Sequence, residues 1–308
     1  MRAYSIFDDF PKEQITALEQ NGISVTVHEK GVERPVGDGL KKIVEQYDIV
    51  IIGTGQKITP EMLDNVNTKK IIATASIGTD HVIVPENKQH LITVVNAPCS
   101  NRISVAEHVF GLILTLKKQI IDGRNIAALG MTKNKMKNKP HDLYGATIGV
   151  IGAGGTGEAV LNMAKCFGME RLSWTRNSDR HKHLADEGVK FVEMEYLLKH
   201  SDVISINLPL CEETTNLISA EKVELIRDDA VFITVSRAEV TDNNALFKKA
   251  RENQEFLLGM DMDANKIDSM WNLDMTNVIV TPHIGGGTVE SRNRLFDEVS
   301  TAILKLRG

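Results

Sequence analysis

The fold is decided by one short stretch of this 308-residue chain, TIGVIGAGGTG at residues 147–157. Its first five residues predict a buried strand, and a helical pattern of apolar residues follows it. Three glycines have the spacing G-x-G-x-x-G, which permits a tight turn, a close approach of backbone to pyrophosphate, and close packing of helix on strand. A helix N-terminus at this turn offers free N–H groups to phosphates. The residues expected to contact a dinucleotide here are Gly152, Gly154, Gly155, Thr156 and Gly157.

The end of the next strand indicates which dinucleotide binds. A dinucleotide-binding βαβ fold usually has an acidic residue at the end of this strand, where it binds the ribose 2′-hydroxyl. The sequence instead has Thr175, followed by Arg176 and Asn177. A guanidinium can bind a 2′-phosphate with two hydrogen bonds, whereas a carboxylate would repel it. The pattern therefore favours NADP, and NAD stays possible if Asp179 acts as a displaced acid.

Composition and charge exclude several other classes of protein. The chain is 42% hydrophobic and 25% charged, as in ordinary globular proteins, and its length predicts about two domains. A net charge of -5 gives no basic field for nucleic acid. The longest apolar stretch, 109–116, is far shorter than the ~20 residues of a membrane span. Asp8 and Asp9 lie where a signal peptide would have its apolar core, so no signal peptide is expected. The three widely spaced cysteines match no metal-binding pattern and indicate a protein of the reducing cytoplasm.

The pattern of apolar residues predicts two α/β units. Short β-branched runs alternate with amphipathic stretches over the first hundred residues, which predicts a parallel sheet with helices on both faces. A single long helix is predicted over Ser104–Ala128, and a second βα series begins at Ala146. The strands predicted in the first series are Tyr4–Phe7, Ile23–Val27, Ile49–Ile52, Ile71–Ala75 and Ile92–Val95.

Further short motifs accompany the glycine-rich turn in a fixed order. They are Ser76-Ile77-Gly78-Thr79-Asp80, Ser104-Val105-Ala106-Glu107, Leu208-Pro209-Leu210 with Thr214, Val235-Ser236-Arg237, Gly259-Met260-Asp261, and Thr281-Pro282-His283-Ile284-Gly285-Gly286. Each motif is weak alone, but the ordered set is highly specific. From about Ile49 to Gly308 the chain resembles the D-isomer-specific 2-hydroxyacid dehydrogenases.

This resemblance implies an α/β protein of two doubly wound parallel-sheet domains with a cleft between them. A Rossmann-like cofactor domain over 98–284 would be inserted in a flavodoxin-like substrate domain formed by 1–97 and 285–308. The family also implies a homodimer. The corresponding reaction is the NAD(P)-dependent reduction of a small 2-oxo acid to a D-2-hydroxy acid.

The residue types suit that reaction. Arg237 can bind a carboxylate and the neighbouring oxygen together, and His283 can deliver and later remove a proton. Backbone N–H groups of Ser76, Ile77 and Gly78 would bind the substrate carboxylate. The resemblance also implies cofactor contacts from Leu208, Pro209, Thr214, Val235, Ser236, Asp261, Gly285 and Gly286.

One position departs from the family pattern. The family usually has a glutamate five residues beyond the residue matching Asp261, where it bonds the catalytic histidine. This chain has Lys266 there. Either Asp263 or Asp268 replaces the glutamate, or Lys266 binds a second anionic group on the substrate, or turnover is impaired and the fold serves as a dinucleotide-binding regulator. The eight other histidines are predicted to be structural or solvated.

Overall fold

The computed structural model describes residues 1–133, 138–263, 266 and 275–306. The chain forms two compact units, one of Met1–Asn101 with Val289–Gly308 and the other of Arg102–Thr288. The strands are β1 Arg2–Ser5, β2 Ser24–Val27, β3 Ile49–Ile52, β4 Lys70–Thr74, β5 Ile92–Val95, β6 Thr147–Ile151, β7 Glu170–Trp174, β8 Lys190–Phe191, β9 Val203–Ile206, β10 Val231–Thr234, β11 Leu257–Asp261 and β12 Val278–Thr281. The helices are α1 Lys12–Gln20, α2 Gly37–Gln46, α3 Arg102–Lys117, α4 Ile120–Ala128, α5 Gly155–Cys166, α6 Lys182–Asp186, α7 Met194–His200, α8 Ala220–Val223, α9 Asn243–Glu252 and α10 Val289–Lys305.

The first unit is built on a parallel sheet of strand order β2-β1-β3-β4-β5. This is the flavodoxin-like order, as predicted. Every residue of β3 is buried, because helices cover both faces of the sheet. The C-terminal helix α10 completes the core, where Phe296 contacts Phe7 and Phe10 edge-to-face at 5.2 Å between ring centroids.

The second unit is a parallel sheet of order β12-β11-β10-β9-β6-β7-β8. The strand order reverses between β6 and β9, and ligands of open α/β sheets bind at the carboxyl ends of the strands beside such a reversal. The predicted α/β class with two parallel sheets is therefore confirmed.

The long helix predicted over Ser104–Ala128 is wrong, because the structure breaks it into α3 and α4. Gln119 lies between them with a left-handed backbone (φ 53°). Its buried side-chain amide donates to Leu116 O at 2.8 Å, which satisfies a carbonyl near the end of α3. The apolar spacing continues across the break, so periodicity alone did not reveal it.

The described residues contain neither a membrane-spanning helix nor a cluster of metal ligands. No helix there combines the length and apolar character needed to cross a membrane. Likewise, no group of three or more His, Cys, Asp or Glu side chains in the described part of the chain is arranged to hold a metal ion.

Candidate active site

The functional motifs of the second unit follow neighbouring strands at one edge of the sheet. Arg237 follows β10, Asp261 ends β11, and His283 follows β12. These strands pair in parallel, with Thr234 opposite Met260 and Asp261 opposite Thr281. The carboxyl ends of parallel strands meet at one edge of a sheet. The same edge therefore also carries the loop after β9, the glycine-rich turn after β6, and Thr175 after β7.

The glycine-rich turn has the shape that a dinucleotide requires. Gly152 has a φ of 95°, and a Cβ atom on Gly157 would lie 1.8 Å from Gly152 O, so side chains are excluded at both positions. At Gly154 a Cβ atom would meet nothing within 4 Å. This open space lies against the start of α5, which no side chain caps. The residues present therefore fit a pyrophosphate at the helix N-terminus.

Two hydroxyl groups shape the loop after β9. The Ser236 hydroxyl accepts a hydrogen bond from Leu208 N at 3.1 Å and donates to Ile206 O at 3.0 Å. Buried Thr214 donates to Pro209 O at 2.7 Å. Ser236 thereby fixes the ends of β9 and β10, and Leu208 and Val235 are half-buried beside it.

The residues predicted to select the dinucleotide lie after β7. Thr175 is half-buried, whereas Arg176 and Asn177 are exposed. The Arg176 guanidinium is 3.7 Å from a Glu213 carboxylate oxygen, and both side chains are about two-thirds exposed at 66% and 64%. Such a pair contributes about 0–1 kcal/mol, so Arg176 can change partner at little cost.

Arg237 places an exposed cation in the loop after β10. Its side chain is exposed, and within the described residues its guanidinium makes no hydrogen bond or ion pair. A free guanidinium suits a planar carboxylate, to which it can donate two parallel hydrogen bonds.

His283 is paired with Asp263. Its Nδ1 lies 2.9 Å from Asp263 Oδ1. Because an ionised carboxylate only accepts, Nδ1 carries the proton and donates it to this bond. The other ring nitrogen, Nε2, is then the one available for proton exchange with a substrate. Of the alternatives drawn from the sequence, Asp263 therefore contacts the histidine, whereas Asp268 lies outside the described residues.

The Asp261 carboxylate binds residues on both sides of His283 in the sequence. Its carboxylate is 4% exposed and accepts hydrogen bonds from Thr281 Oγ1, Ile284 N and Gly285 N at 2.6, 2.9 and 2.8 Å. Thr281 Oγ1 uses its hydrogen on Asp261, so it accepts the 3.0 Å bond from His108 Nε2. Gly286 lies half-buried just beyond this cluster.

Lys266 does not contact His283 in the structure. Its ammonium donates to Glu239 Oε1 at 2.7 Å. This hydrogen bond holds the pKa of the Glu239 carboxyl below its ordinary value and raises the pKa of Lys266. Glu239 lies two residues beyond Arg237, whose positive charge also lowers the pKa of Glu239. Lys266 therefore compensates a negative charge next to the proposed carboxylate-binding arginine.

In the first unit, the loop at 76–78 follows β4 and has all its carbonyl groups occupied. Ser76 O accepts from Ala97 N at 3.0 Å, Ile77 O accepts from Asn96 Nδ2, and Gly78 O accepts from the Ser76 hydroxyl at 2.6 Å. Among the described residues, the N–H groups of Ile77 and Gly78 donate to no protein acceptor. Such free N–H groups can bind an anion.

Sequence reasoning assigned no contact to several of these side chains. Glu239 was missed, and His81 and His108 were predicted to be structural or solvated. The structure places His108 beside Asp261 and ties His81 to Thr74. The only sequence signal for His81 was its place as a polar residue directly after Asp80. Its pairing with Thr74 depends on how the loop folds, so the sequence did not indicate it.

Comparison with known proteins identifies the family of this chain. Residues 110–285 match the family model described as D-isomer specific 2-hydroxyacid dehydrogenase, NAD binding domain. The chain is 29% identical to the hydroxypyruvate reductase of Thermotoga maritima over 317 residues, covering 100% of both chains. It is 30% identical to the glyoxylate reductase of Pyrococcus furiosus, covering 96% of this chain and 92% of that one.

A solved structure shares the fold over the whole chain. The D-lactate dehydrogenase of Aquifex aeolicus, crystallised with NAD and lactic acid, superposes with a TM-score of 0.78 at 25% identity. That match covers 100% of this chain and 95% of the other. The chain therefore belongs to the D-isomer-specific 2-hydroxyacid dehydrogenases, a family of NAD-binding oxidoreductases.

Proposed function

We propose that this protein reduces a small 2-oxo acid to the corresponding D-2-hydroxy acid with a nicotinamide cofactor. The observation that carries the proposal is the bond of His283 Nδ1 to Asp263, which leaves Nε2 for proton transfer. The guanidinium of Arg237, which has no hydrogen bond or ion pair to the described residues, would bind the carboxylate at the same sheet edge. Its relatives' names, hydroxypyruvate reductase and glyoxylate reductase, suggest those two acids as first substrates.

The chain's own residues would divide the chemistry as follows. The bound nicotinamide cofactor supplies the hydride. Arg237 binds the carboxylate and the adjacent carbonyl oxygen, which orients and polarises the carbonyl group. His283 Nε2 gives a proton to the developing alkoxide and takes it back in the oxidation direction, while Asp263 keeps the ring in place through Nδ1. In this proposal 98–284 forms the cofactor domain, and 1–97 with 285–308 forms the substrate domain.

The test is to measure the rates at which the protein reduces glyoxylate, hydroxypyruvate and pyruvate. The loss of NAD(P)H absorbance reports each rate. Arg237→Lys keeps the charge but loses the two parallel N–H donors of the guanidinium, so kcat/KM should fall by at least about tenfold, or ~1.4 kcal/mol. Arg251→Lys, an exposed position on α9, is the matched control and should leave kcat/KM unchanged. Equal values for Arg237→Lys and the wild type would remove Arg237 from the proposed role.

The proposed cofactor is NADP, with NAD as the alternative. Thr175 brings no negative charge to the site, and Arg176 needs little free energy to leave Glu213 for a 2′-phosphate. Fluorescence titration should therefore give a lower Kd for NADPH than for NADH. Thr175→Asp should reverse that order by repelling the 2′-phosphate. A wild-type preference for NADH would overturn the assignment.

A second anionic group on the substrate is also proposed, with Lys266 as its partner. The Lys266 ammonium is exposed at 48%, and its partner Glu239 at 39%. Exposed ion pairs contribute little to stability, so a substrate anion can compete with Glu239 for the ammonium. The competing role for Lys266 is compensation of the Glu239 charge near Arg237.

We propose a homodimer on the family resemblance and on exposed apolar side chains of the second unit. These side chains occur at the start of α3, on α4 and in the chain after it. They are Ile103, Ile120, Ile121, Leu129, Met131 and Tyr144, with exposed fractions of 39%, 52%, 49%, 69%, 50% and 84%. A second copy of the chain is the proposed occupant of this surface.

A cytoplasmic location is proposed on the cysteine chemistry. All three cysteines, Cys99, Cys166 and Cys211, are free thiols in the structure. Free thiols suit a reducing compartment.

A further inference from the structure

We infer that His81 is a positioning residue for the loop at 76–78, acting through a chain of two hydroxyl groups. The inference rests on the proposed function, in which this loop binds the substrate carboxylate. His81 Nε2 is 2.7 Å from Thr74 Oγ1, which is 2.7 Å from Ser76 Oγ, which is 2.6 Å from Gly78 O. The three side chains that form this series of hydrogen bonds, Thr74, Ser76 and His81, are buried, with 9% exposure or less.

The direction of each hydrogen bond in this chain follows by elimination. Gly78 O can only accept, so the Ser76 hydroxyl spends its one hydrogen there. Ser76 Oγ must then accept from the Thr74 hydroxyl, whose hydrogen is spent in turn. Thr74 Oγ1 must therefore accept from His81, which places a proton on His81 Nε2. The imidazole is the terminal donor that sets the direction of the whole chain.

Burial supports a single protonation state for this donor. Removal from water lowers the pKa of His81, against the opposite effect of the Asp80 carboxylate. The neutral ring carries one N–H group, and the chain requires it on Nε2. The backbone around the ring is fixed as well, because Ile58 N donates to His81 O at 2.9 Å.

The consequence for the loop is a fixed orientation of its peptide groups. With Ser76 O and Ile77 O bonded to Ala97 and Asn96, the Ser76 hydroxyl fixes the last of three carbonyl groups. The N–H groups of Ile77 and Gly78, which have no acceptor in the described part of the chain, are then available for an anion. If Thr74 and His81 no longer hold the Ser76 hydroxyl on Gly78 O, this peptide group can turn, and a carbonyl oxygen facing the ligand would repel its carboxylate.

The first experiment measures KM and kcat for glyoxylate in variants that break the chain. His81→Phe removes the donor and Thr74→Val removes the link, and each should raise KM by about three- to tenfold, the equivalent of one net hydrogen bond. The carboxylate is bound equally in the ground state and the transition state, so kcat should stay within about twofold of the wild type. His81→Gln, whose amide can donate from the position of Nε2, should restore the wild-type KM.

Coupling between the two positions tests whether they act as one chain. The double variant His81→Phe/Thr74→Val should raise KM no more than either single variant, because one broken link already releases the Ser76 hydroxyl from its fixed position on Gly78 O. Additive increases would show two independent effects and overturn the inference.

Two controls separate positioning from stability. Ile58→Val makes a small cavity in the core beside His81 and should lower Tm by a few degrees while leaving KM unchanged. His90→Phe, at an exposed histidine of the same unit, should change neither quantity. If His81→Phe lowers Tm with no change in KM, His81 is purely structural and the inference fails.

A spectroscopic measurement decides the inference without turnover. Nitrogen-15 NMR of the histidine side chains at neutral pH should show His81 protonated at Nε2 and bare at Nδ1. A proton on Nδ1 alone would contradict the direction of the chain. If the wild type reduces no 2-oxo acid, the proposed function fails. Calorimetric titration with oxamate then tests the inference alone: weaker binding in His81→Phe than in the wild type supports it, and equal binding refutes it.

Discussion

His283 adopts a backbone conformation that residues with a side chain rarely take, with a φ of 54°. The strain is maintained because the Asp261 carboxylate accepts hydrogen bonds from Ile284 N and Gly285 N, the two amides that follow. Asp263, two residues along from Asp261, then contacts the His283 ring. One short segment after β11 thus fixes both the backbone and the side chain of the histidine, which is typical of a strained functional residue.

The two roles of Lys266 predict different selectivity. If Lys266 binds a second anionic group, Lys266→Ala should reduce kcat/KM for a dianionic 2-oxo acid such as oxaloacetate by about tenfold, and leave pyruvate nearly unchanged. Glu239→Gln, which frees the ammonium, should then raise kcat/KM for oxaloacetate. An equal loss on both acids in Lys266→Ala, restored by the double variant with Glu239→Gln, would instead assign Lys266 to charge compensation.

At this scale the sequence predicted the positions of the candidate residues better than their partners. The ordered motifs single out Arg237 and His283, and the structure places both in loops that follow neighbouring strands of one sheet. Asp263 was one of two alternative partners of the histidine, because the choice between Asp263 and Asp268 depends on how the chain turns after β11. The pairing of Lys266 with Glu239 joins residues 27 positions apart in two loops, and no local pattern indicates it.

The glycine-rich turn allows a matched comparison at the scale of one βα element. Gly154→Ala places a Cβ atom in open space with a compatible φ of -67°, so stability should change by less than about 0.5 kcal/mol. The same atom would obstruct a pyrophosphate, so the Kd of the dinucleotide should rise by at least about tenfold. Calorimetry gives both quantities.

Gly157→Ala is the counterpart in the same turn. Its Cβ atom would lie 1.8 Å from Gly152 O, so helix and strand must separate. We expect this variant to lose about 1–3 kcal/mol of stability even without cofactor. If Gly154→Ala instead bound the dinucleotide as tightly as the wild type, the open space at Gly154 would not be the pyrophosphate site.

Strands were easier to predict than helices at the element scale. β3, β5 and β6 begin and end as predicted, because buried parallel strands are short apolar runs bounded by polar residues. The helix over Ser104–Ala128 was predicted as continuous because its apolar residues recur at helical spacing. The turn at Gln119 depends on a buried amide that bonds Leu116 O, a contact that residue spacing does not encode.

At the scale of the whole molecule, the proposed dimer predicts a measurable mass. Light scattering should give twice the 34.1 kDa of one chain. The double variant Ile120→Glu/Leu129→Glu should shift the protein towards one chain, because burial of charge in an apolar interface is unfavourable. Val36→Glu, at a similarly exposed apolar residue of the first unit, should keep the dimer. A dimer unchanged by the double variant would place the interface elsewhere.

The pairing of His283 with Asp263 is best tested by measuring kcat for glyoxylate reduction in Asp263→Asn. The claim is that Asp263 replaces the family glutamate as the partner of His283. An asparagine can donate to Nδ1 and so favour the wrong tautomer of the ring. We predict a kcat at least about tenfold below the wild type, with cofactor Kd unchanged and with Asp268→Asn close to the wild type. A kcat in Asp263→Asn within twofold of the wild type would contradict it.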